Sequence, residues 1–235
     1  MDFRDRHVVI TGGTGALGTA VVTAIVEAGA ICHVPCRNEA EAQRFRLREH
    51  KQVVLTVTGS LTEEGPIGRL YDGITPLWAS IHLAGGFAAG PFAETSAATM
   101  REQIDTNLVS CLLCCRAAVK AMTRDAAGGG GRIVNVAARP ALEWRSGAGM
   151  AAYTASKAAV AALTAALAEE VAKGGILVNA VAPSIMDTPA NRQAMPKADF
   201  SLWPKVEEVA ATILFLASPE NRVTRGAVVP VYGRS

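Results

Sequence analysis

The sequence has no surplus of charge of either sign: 23 Lys and Arg stand against 21 Asp and Glu, a formal +2 at neutral pH. Such a balance lacks the basic surface that nucleic acid or an anionic membrane would draw on, so neither is expected as a partner; a small-molecule substrate is. The chain has no uninterrupted apolar run long enough to span a bilayer. Its opening, MDFRDRHVVITGG, puts charges where a signal peptide needs its apolar stretch, so a soluble, cytoplasmic protein is expected. No disulfide framework is implied. The five cysteines, Cys32, Cys36, Cys111, Cys114 and Cys115, are odd in number and mostly fall in segments that read as buried strand or helix. Cys111, Cys114 and Cys115 have no second Cys/His cluster at ligand spacing and sit in apolar, helical surroundings, so helix packing is expected there and no metal. Repeats and domain linkers are lacking too. The one low-complexity stretch, residues 128–131, falls between a helix and a strand, where a surface connection is expected.

What is present suits one large α/β domain, with 235 residues of which half are hydrophobic. His7–Thr11 is a short apolar run ending in glycines. Residues 16–29 then carry Leu17, Val21, Val22, Ile25 and Val26 at helical spacing, which predicts strand, tight turn and helix. A strand at 31–35, a charged surface helix at 39–50 and a β-branched strand at Val53–Val57 follow. Further on, the pattern predicts strands at 77–83, 132–136, 176–181 and 227–231, with helices at 104–124, 152–173 and 206–216. Strands alternating with helices over nearly the whole chain mean a doubly wound parallel sheet of Rossmann type, with helices on both faces. Residues 184–204 have no clear period and carry Pro189, Pro196 and Pro204; a long irregular segment after a core strand is expected to cover a substrate. Met186, Met195, Phe200 and Trp203 would give that pocket apolar walls.

The first strand–helix junction reads Thr11-Gly12-Gly13-Thr14-Gly15-Ala16-Leu17-Gly18. Glycines at that place allow a tight turn, let backbone approach a pyrophosphate and permit close helix packing, while the helix N-terminus supplies N–H donors. The residue that ends the second strand reads the adenosine ribose: an acid binds a free 2′-hydroxyl and a base pairs with a 2′-phosphate. Here that stretch is Pro35-Cys36-Arg37-Asn38, with no carboxylate. Arg37 therefore favours NADP(H), with NAD(H) still possible, unless it is simply a solvated residue opening the next helix. Farther along, Tyr153 and Lys157 enter an alanine-rich helix four residues apart, on one face and one turn from each other. An ammonium near a phenol lowers its pKa, and such a pair exchanges protons near neutral pH.

These motifs together resemble the short-chain dehydrogenase/reductase family: the glycine turn, Tyr153-x-x-x-Lys157, Asn107 in Asp-Thr-Asn-Leu, and Gly226 and Gly233 near the end. The resemblance runs over essentially the full length, in the family's order and at about its spacings. It implies that Tyr153 is the general acid, that Lys157 binds nicotinamide-ribose hydroxyls and lowers the Tyr153 pKa, and that Asn107 holds a proton-relay water. Asn107 could otherwise be a helix-bending polar residue. The resemblance also implies cofactor contacts from Gly12, Thr14, Gly15, Ala16, Leu17 and Gly18, from Arg37 and Asn38, and from Ser60 where an adenine-binding acid is common. Ala84, Gly85 and Gly86 would line the adenine side. Pro183 and Thr188 would contact the nicotinamide, or Thr188 would only cap the turn before Pro189. A homodimer or homotetramer is implied as well, in keeping with apolar helices at 104–119 and 152–168 that exceed what one sheet face needs to cover.

The chain departs from the family's pattern at several points. The usual catalytic serine would fall at or next to Ala138, which cannot donate a hydrogen bond; loss of such a donor costs about two to three orders of magnitude in rate. His82-Leu83 replaces the usual Asn-Asn, Ser184 replaces a glycine after Pro183, and the middle glycine of the turn is shifted. The dihydropteridine reductase branch is similar in Gly-Ala-Leu-Gly, in Ala-Gly-Gly and in an alanine at the serine position, though it has an acid where this chain has Cys36 and Arg37. Three functions are therefore weighed. The first is an NADP(H)-dependent oxidoreductase acting on a carbonyl-type or activated C=N substrate. The second is a quinonoid dihydropteridine reductase-like activity, and the third an NADP(H)-binding sensor or scaffold without turnover, motivated by Ala138. A binder has no need of the Tyr/Lys spacing, which favours the enzyme.

Overall fold

Along the first strand, β1 (His7–Thr11), side chains alternate between two cores. Val8 and Ile10 join one cluster, with Val22, Ile25, Ile213 and Leu216, while Val9 joins another, with Ile67, Leu70, Cys111, Cys115 and Val160. Period-two alternation in a strand buried on both sides requires helices on both faces. The computed structural model, which describes residues 1–124 and 130–235, supplies them. Of the glycines at 128–131, Gly128 and Gly129 lie outside the described residues. After β1 come α1 (Ala16–Glu27), β2 (Ile31–Cys36), α2 (Glu39–Arg44), β3 (Val53–Val57), α3 (Glu64–Asp72) and β4 (Leu77–His82). Then follow α4 (Ala97–Ile104), α5 (Ser110–Arg124), β5 (Gly131–Val136), α6 (Arg139–Leu142), α7 (Ala151–Glu170) and β6 (Ile176–Pro183). The chain ends with α8 (Pro189–Ala194), α9 (Val206–Ala217) and β7 (Val228–Val231).

The seven strands pair in parallel in the order β3-β2-β1-β4-β5-β6-β7. Helices α1 and α9 cover one face, α3, α5 and α7 the other. Each large aliphatic side chain buried this way contributes about 1.5–3 kcal/mol on leaving water. Strand order reverses between β1 and β4, which opens a crevice at their C-terminal ends, the place where sheets of this kind bind ligands.

Four local differences from the sequence expectations have physical causes. The helix expected at 39–50 stops at Arg44, because Phe45 turns to extended backbone and its ring enters the core at 3% exposure. Helix α3 was not expected: Gly65, Pro66 and Gly68 lower its propensity, and only the burial of Ile67, Leu70 and Tyr71 at three- and four-residue spacing makes it. The helix expected at 104–124 begins earlier, at Ala97, where Ser96 caps it by accepting from the Thr99 N–H (3.0 Å). It is also interrupted by one π turn, Asp105–Val109. Residues 184–204, expected to be irregular, contain α8 and a 3₁₀ turn at Phe200–Leu202. They are tied down by Arg192 on Asp187 (2.6 Å) and by the burial of Trp203. By length and composition α7 is apolar enough to cross a bilayer, yet it packs against β6 within this fold.

Candidate active site

The turn between β1 and α1 is closed by backbone contacts that leave no room for side chains. Gly12 has φ +65°, and a Cβ on it would lie 2.7 Å from the Ala84 nitrogen just past β4. A Cβ on Gly18 would meet the Gly12 carbonyl oxygen at 2.1 Å, so α1 seats on the turn only with glycine there. Thr14 and Gly15 follow and line a groove of about 860 Å³ that also touches Arg37, Ser60 and Ala84 to Gly86. A glycine-walled groove of this volume, with a helix N-terminus opening into the same turn, fits a dinucleotide. Leu17 and Gly18 are buried in α1 and pack rather than line the groove, while Ala16 stands exposed at the helix start.

One end of the groove is open and charged. Arg37 and Asn38 are exposed after β2, and Asn38 turns its side chain to its own helix, accepting from the Glu41 N–H (2.9 Å) as the α2 cap. Glu41, absent from the sequence-based set, reaches back from the first turn of α2. One carboxylate oxygen accepts from the Thr14 hydroxyl and the other from the Arg37 backbone N–H at 2.7 Å. Burial, with Glu41 and Glu39 adding to it, pushes the Cys36 thiol up to about 11. Ser60 is exposed and shares a hydrogen bond with Thr62 (2.7 Å).

Past Gly85 and Gly86 the groove gives way to a buried, interlocked cluster whose members Asn107, Tyr153 and Lys157 are not among the residues that line the groove itself. The π turn brings Asn107 inward at 1% exposure. Its Oδ1 accepts from the Gly86 N–H (2.9 Å), and its Nδ2 donates to the Gly86 carbonyl (3.1 Å) and to Ser156 Oγ (3.1 Å). Ser156 in turn donates to the Tyr153 carbonyl (2.7 Å), so Asn107 clamps the segment after β4 to α7. Lys157 lies on α7 one turn after Tyr153, and a Cβ on Gly85 would come within 3.4 Å of its Nζ. The sequence led us to expect the ammonium to lower the Tyr153 pKa. Instead Lys157 Nζ donates to the Val136 carbonyl (2.8 Å), and burial alone pushes the Tyr153 phenol up to about 12. Burial also pulls Lys157 down to about 8, with Cys111 opposing that shift. The exposed Phe87 ring stands edge-on to Tyr153, centroids 5.0 Å apart, and was likewise missed by sequence reasoning.

Ala138 is buried, and its neighbour Arg139 does not take the serine's place: it pairs with Glu143 (2.7 Å) and lies over Tyr232. Pro183 ends β6, and Thr188 accepts from the Asn191 N–H (3.2 Å) as the α8 cap; neither is among the residues lining the groove. Behind the buried end, Cys111, Cys114 and Cys115 pack in the apolar core as expected, and Cys111 and Cys115 also border a polar network. His82 Nδ1 and Asn135 Oδ1 are 2.8 Å apart, Cys111 and Cys115 donate to the same oxygen at 3.3 and 3.5 Å, and Asn135 Nδ2 donates to Thr164 (2.9 Å). The ligand-type atoms of His82, Cys111 and Cys115 lie within 4.8 Å of one another. Cysteine spacing alone gave no sign of His82, which arrives from β4.

Comparison with known proteins finds relatives over nearly the whole chain. The family model for short chain dehydrogenase matches residues 6–199. Galactitol 2-dehydrogenase of Rhizobium johnstonii is 34% identical over 242 residues, covering 96% of this chain and 93% of that protein. Cis-4-hydroxycyclohexanecarboxylate dehydrogenase of Sinomonas cyclohexanicum is 32% identical over 245 residues, covering 98% and 96%. Among solved structures, a short-chain type dehydrogenase/reductase from Mycobacterium ulcerans superimposes with a TM-score of 0.89 at 25% identity, covering 99% of this chain and 90% of that one. ElxO with NADP bound shares the fold, with a TM-score of 0.86 at 24% identity and 97% coverage of both chains.

Proposed function

The chain belongs to the short-chain dehydrogenase family and is an oxidoreductase, and from that premise we propose that it moves a hydride between NADP(H) and a small substrate bearing a carbonyl or an activated C=N group. What supports this reading is that Asn107 and Lys157 approach Gly85 and Gly86 at the groove's inner edge, while Tyr153, one turn before Lys157 on α7, stands edge-on to Phe87, which lines the groove. When bound, the nicotinamide supplies or accepts the hydride. Tyr153, kept protonated by burial, gives its hydroxyl proton to the substrate atom on which charge develops. Lys157 holds a positive charge at the same end and offers its remaining N–H groups to ribose hydroxyls. Asn107 fixes the Gly86 backbone, and the free lone pair of its carbonyl oxygen is what remains to hold a relay water.

Arg37, exposed at the open end with no acid ending β2, supports NADP(H) over NAD(H). Residues 184–204 cover the substrate in this reading, as a part of one dinucleotide-binding domain. Exposed Leu112 on α5 and Ala155, Ala162 and Ala166 on α7 support a homodimer or homotetramer, which light scattering on the purified protein tests. The five free, buried cysteines fit a cytoplasmic location.

The test mixes NADPH with ketones, quinones and quinonoid dihydropterin and follows loss of the nicotinamide absorbance. Wild type is expected to turn over at least one class, and Tyr153→Phe to be slower by about 10²–10⁴. Equal rates would remove Tyr153 from the chemistry. Tight NADPH binding without turnover on any compound would make the chain a sensor or scaffold.

Ala138 favours a second reading, an activated substrate such as a quinonoid dihydropterin, because no side-chain donor stands at the serine's position. Ala138→Ser separates the two. A simple carbonyl substrate gains about tenfold or more in rate from the restored donor, while an activated substrate gains less than about threefold.

A further inference from the structure

The strand that should end in a ribose-reading acid ends in Cys36 and Arg37, yet a carboxylate occupies that corner of the groove all the same. It belongs to Glu41, in the first turn of α2 rather than at the end of β2. Its carboxylate bridges the glycine turn and the β2–α2 turn, taking the Thr14 hydroxyl with one oxygen and the Arg37 N–H with the other. Helix capping does not account for this. A third-position glutamate in a capping box reaches the cap residue's own N–H, which here would be Asn38. Glu41 instead bonds one residue farther out and crosses the groove to Thr14.

We propose that Glu41 sets the discrimination between the two dinucleotides, its carboxylate accepting from an unmodified adenosine ribose diol and opposing a 2′-phosphate at the same corner. The proposal rests on the dinucleotide reading of the groove and deepens it. An ionised carboxylate accepts hydrogen bonds but donates none, so hydroxyls suit it and phosphate oxygens do not. Like charges brought together in a partly buried corner disfavour binding of the second one. Arg37 pulls the 2′-phosphate in from the solvent side, and Glu41 pushes it away from Thr14 and the Arg37 N–H. The preference for NADPH that Arg37 alone would give is therefore held down, and NADH remains a usable partner.

The measurement is fluorescence titration of wild type and Glu41→Gln with NADPH and with NADH, in the absence of substrate. The amide keeps the size of the side chain and an acceptor for Thr14 or the Arg37 N–H, and removes the charge. NADPH is expected to bind the variant about tenfold or more tightly, and NADH, which loses a charged acceptor for its ribose diol, about threefold or more weakly. Glu41→Ser, which removes the charge and keeps a small acceptor, gives the same comparison should the amide variant fail to fold. Parallel shifts for both dinucleotides, or a shift that favours NADH, overturn the proposal while leaving the groove's function intact. If wild type binds neither dinucleotide, the dinucleotide reading fails and Glu41's role with it.

Discussion

The two ends of the groove are built by opposite means. At the catalytic end Asn107, Ser156 and Lys157 are nearly excluded from solvent and bound to one another or to backbone, so each position depends on the others. At the open end Arg37, Asn38 and Ser60 are exposed, and Glu41 reaches the Arg37 N–H and Thr14 from a helix only six residues long. Interlocked buried hydrogen bonds fix geometry at the expense of tolerance to change, whereas exposed charges can be exchanged with little effect on folding. In the function proposed above, chemistry belongs to the buried end and selectivity to the open one.

The contrast can be broken first where it should be strongest. Tyr153→Phe is expected to lower turnover by about 10²–10⁴ in steady-state assays without changing the melting temperature, since its hydroxyl is not needed to hold the fold. Next, pH should act on the catalytic end through Lys157. Burial has lowered its pKa to about 8, so the ammonium is present below that pH and lost above it. The rate of reduction should fall by about tenfold per pH unit above that point in a pH–rate profile; a flat profile would mean that the charge of Lys157 is not used. Asn107→Ala strands the Gly86 N–H and carbonyl and takes a donor from Ser156 Oγ, whose own bond to the Tyr153 carbonyl stays, and should lower stability by about 1–3 kcal/mol in urea titrations. At the open end, Arg37→Ala should weaken NADPH by about tenfold and NADH hardly at all, with the melting temperature unchanged. Ser60→Ala should be the smallest, within about 0.5 kcal/mol in either stability or cofactor binding. A large loss of stability at Arg37 or Ser60 would erase the distinction between the ends.

The same contrast explains what could be read in the sequence. The alternation of strands and helices was legible because β1 and α1 each carry one clean period, and the parallel doubly wound sheet follows from it. Helix α3 was not, since Gly65 and Pro66 at its start hide a helix that exists only through the core contacts of Ile67, Leu70 and Tyr71. Tyr153, Lys157 and the turn glycines stand out through local spacing, and the structure brings Asn107 to the same end. What local spacing does not convey is direction. Lys157 turns its ammonium to the Val136 carbonyl, and desolvation then governs Tyr153. Glu41 was invisible for the complementary reason: its partner Thr14 is 27 residues away, and the only sequence sign was its place three residues after Asn38.

The π turn at Asp105–Val109 also acts as a phase setter. One residue advances an α-helix by about 100°, so the extra residue in that turn rotates α5 relative to α4 by slightly more than a quadrant. With it, Asn107 meets the Gly86 backbone while Cys111, Cys114, Cys115 and Ala118 pack in the core beneath the sheet. Deleting a single residue there would let the path run as one regular helix and would force a choice between the two alignments, either the catalytic clamp or the core face of α5. A length change of one residue, harmless in a surface connection, would at this place disconnect the active site from the core that supports it.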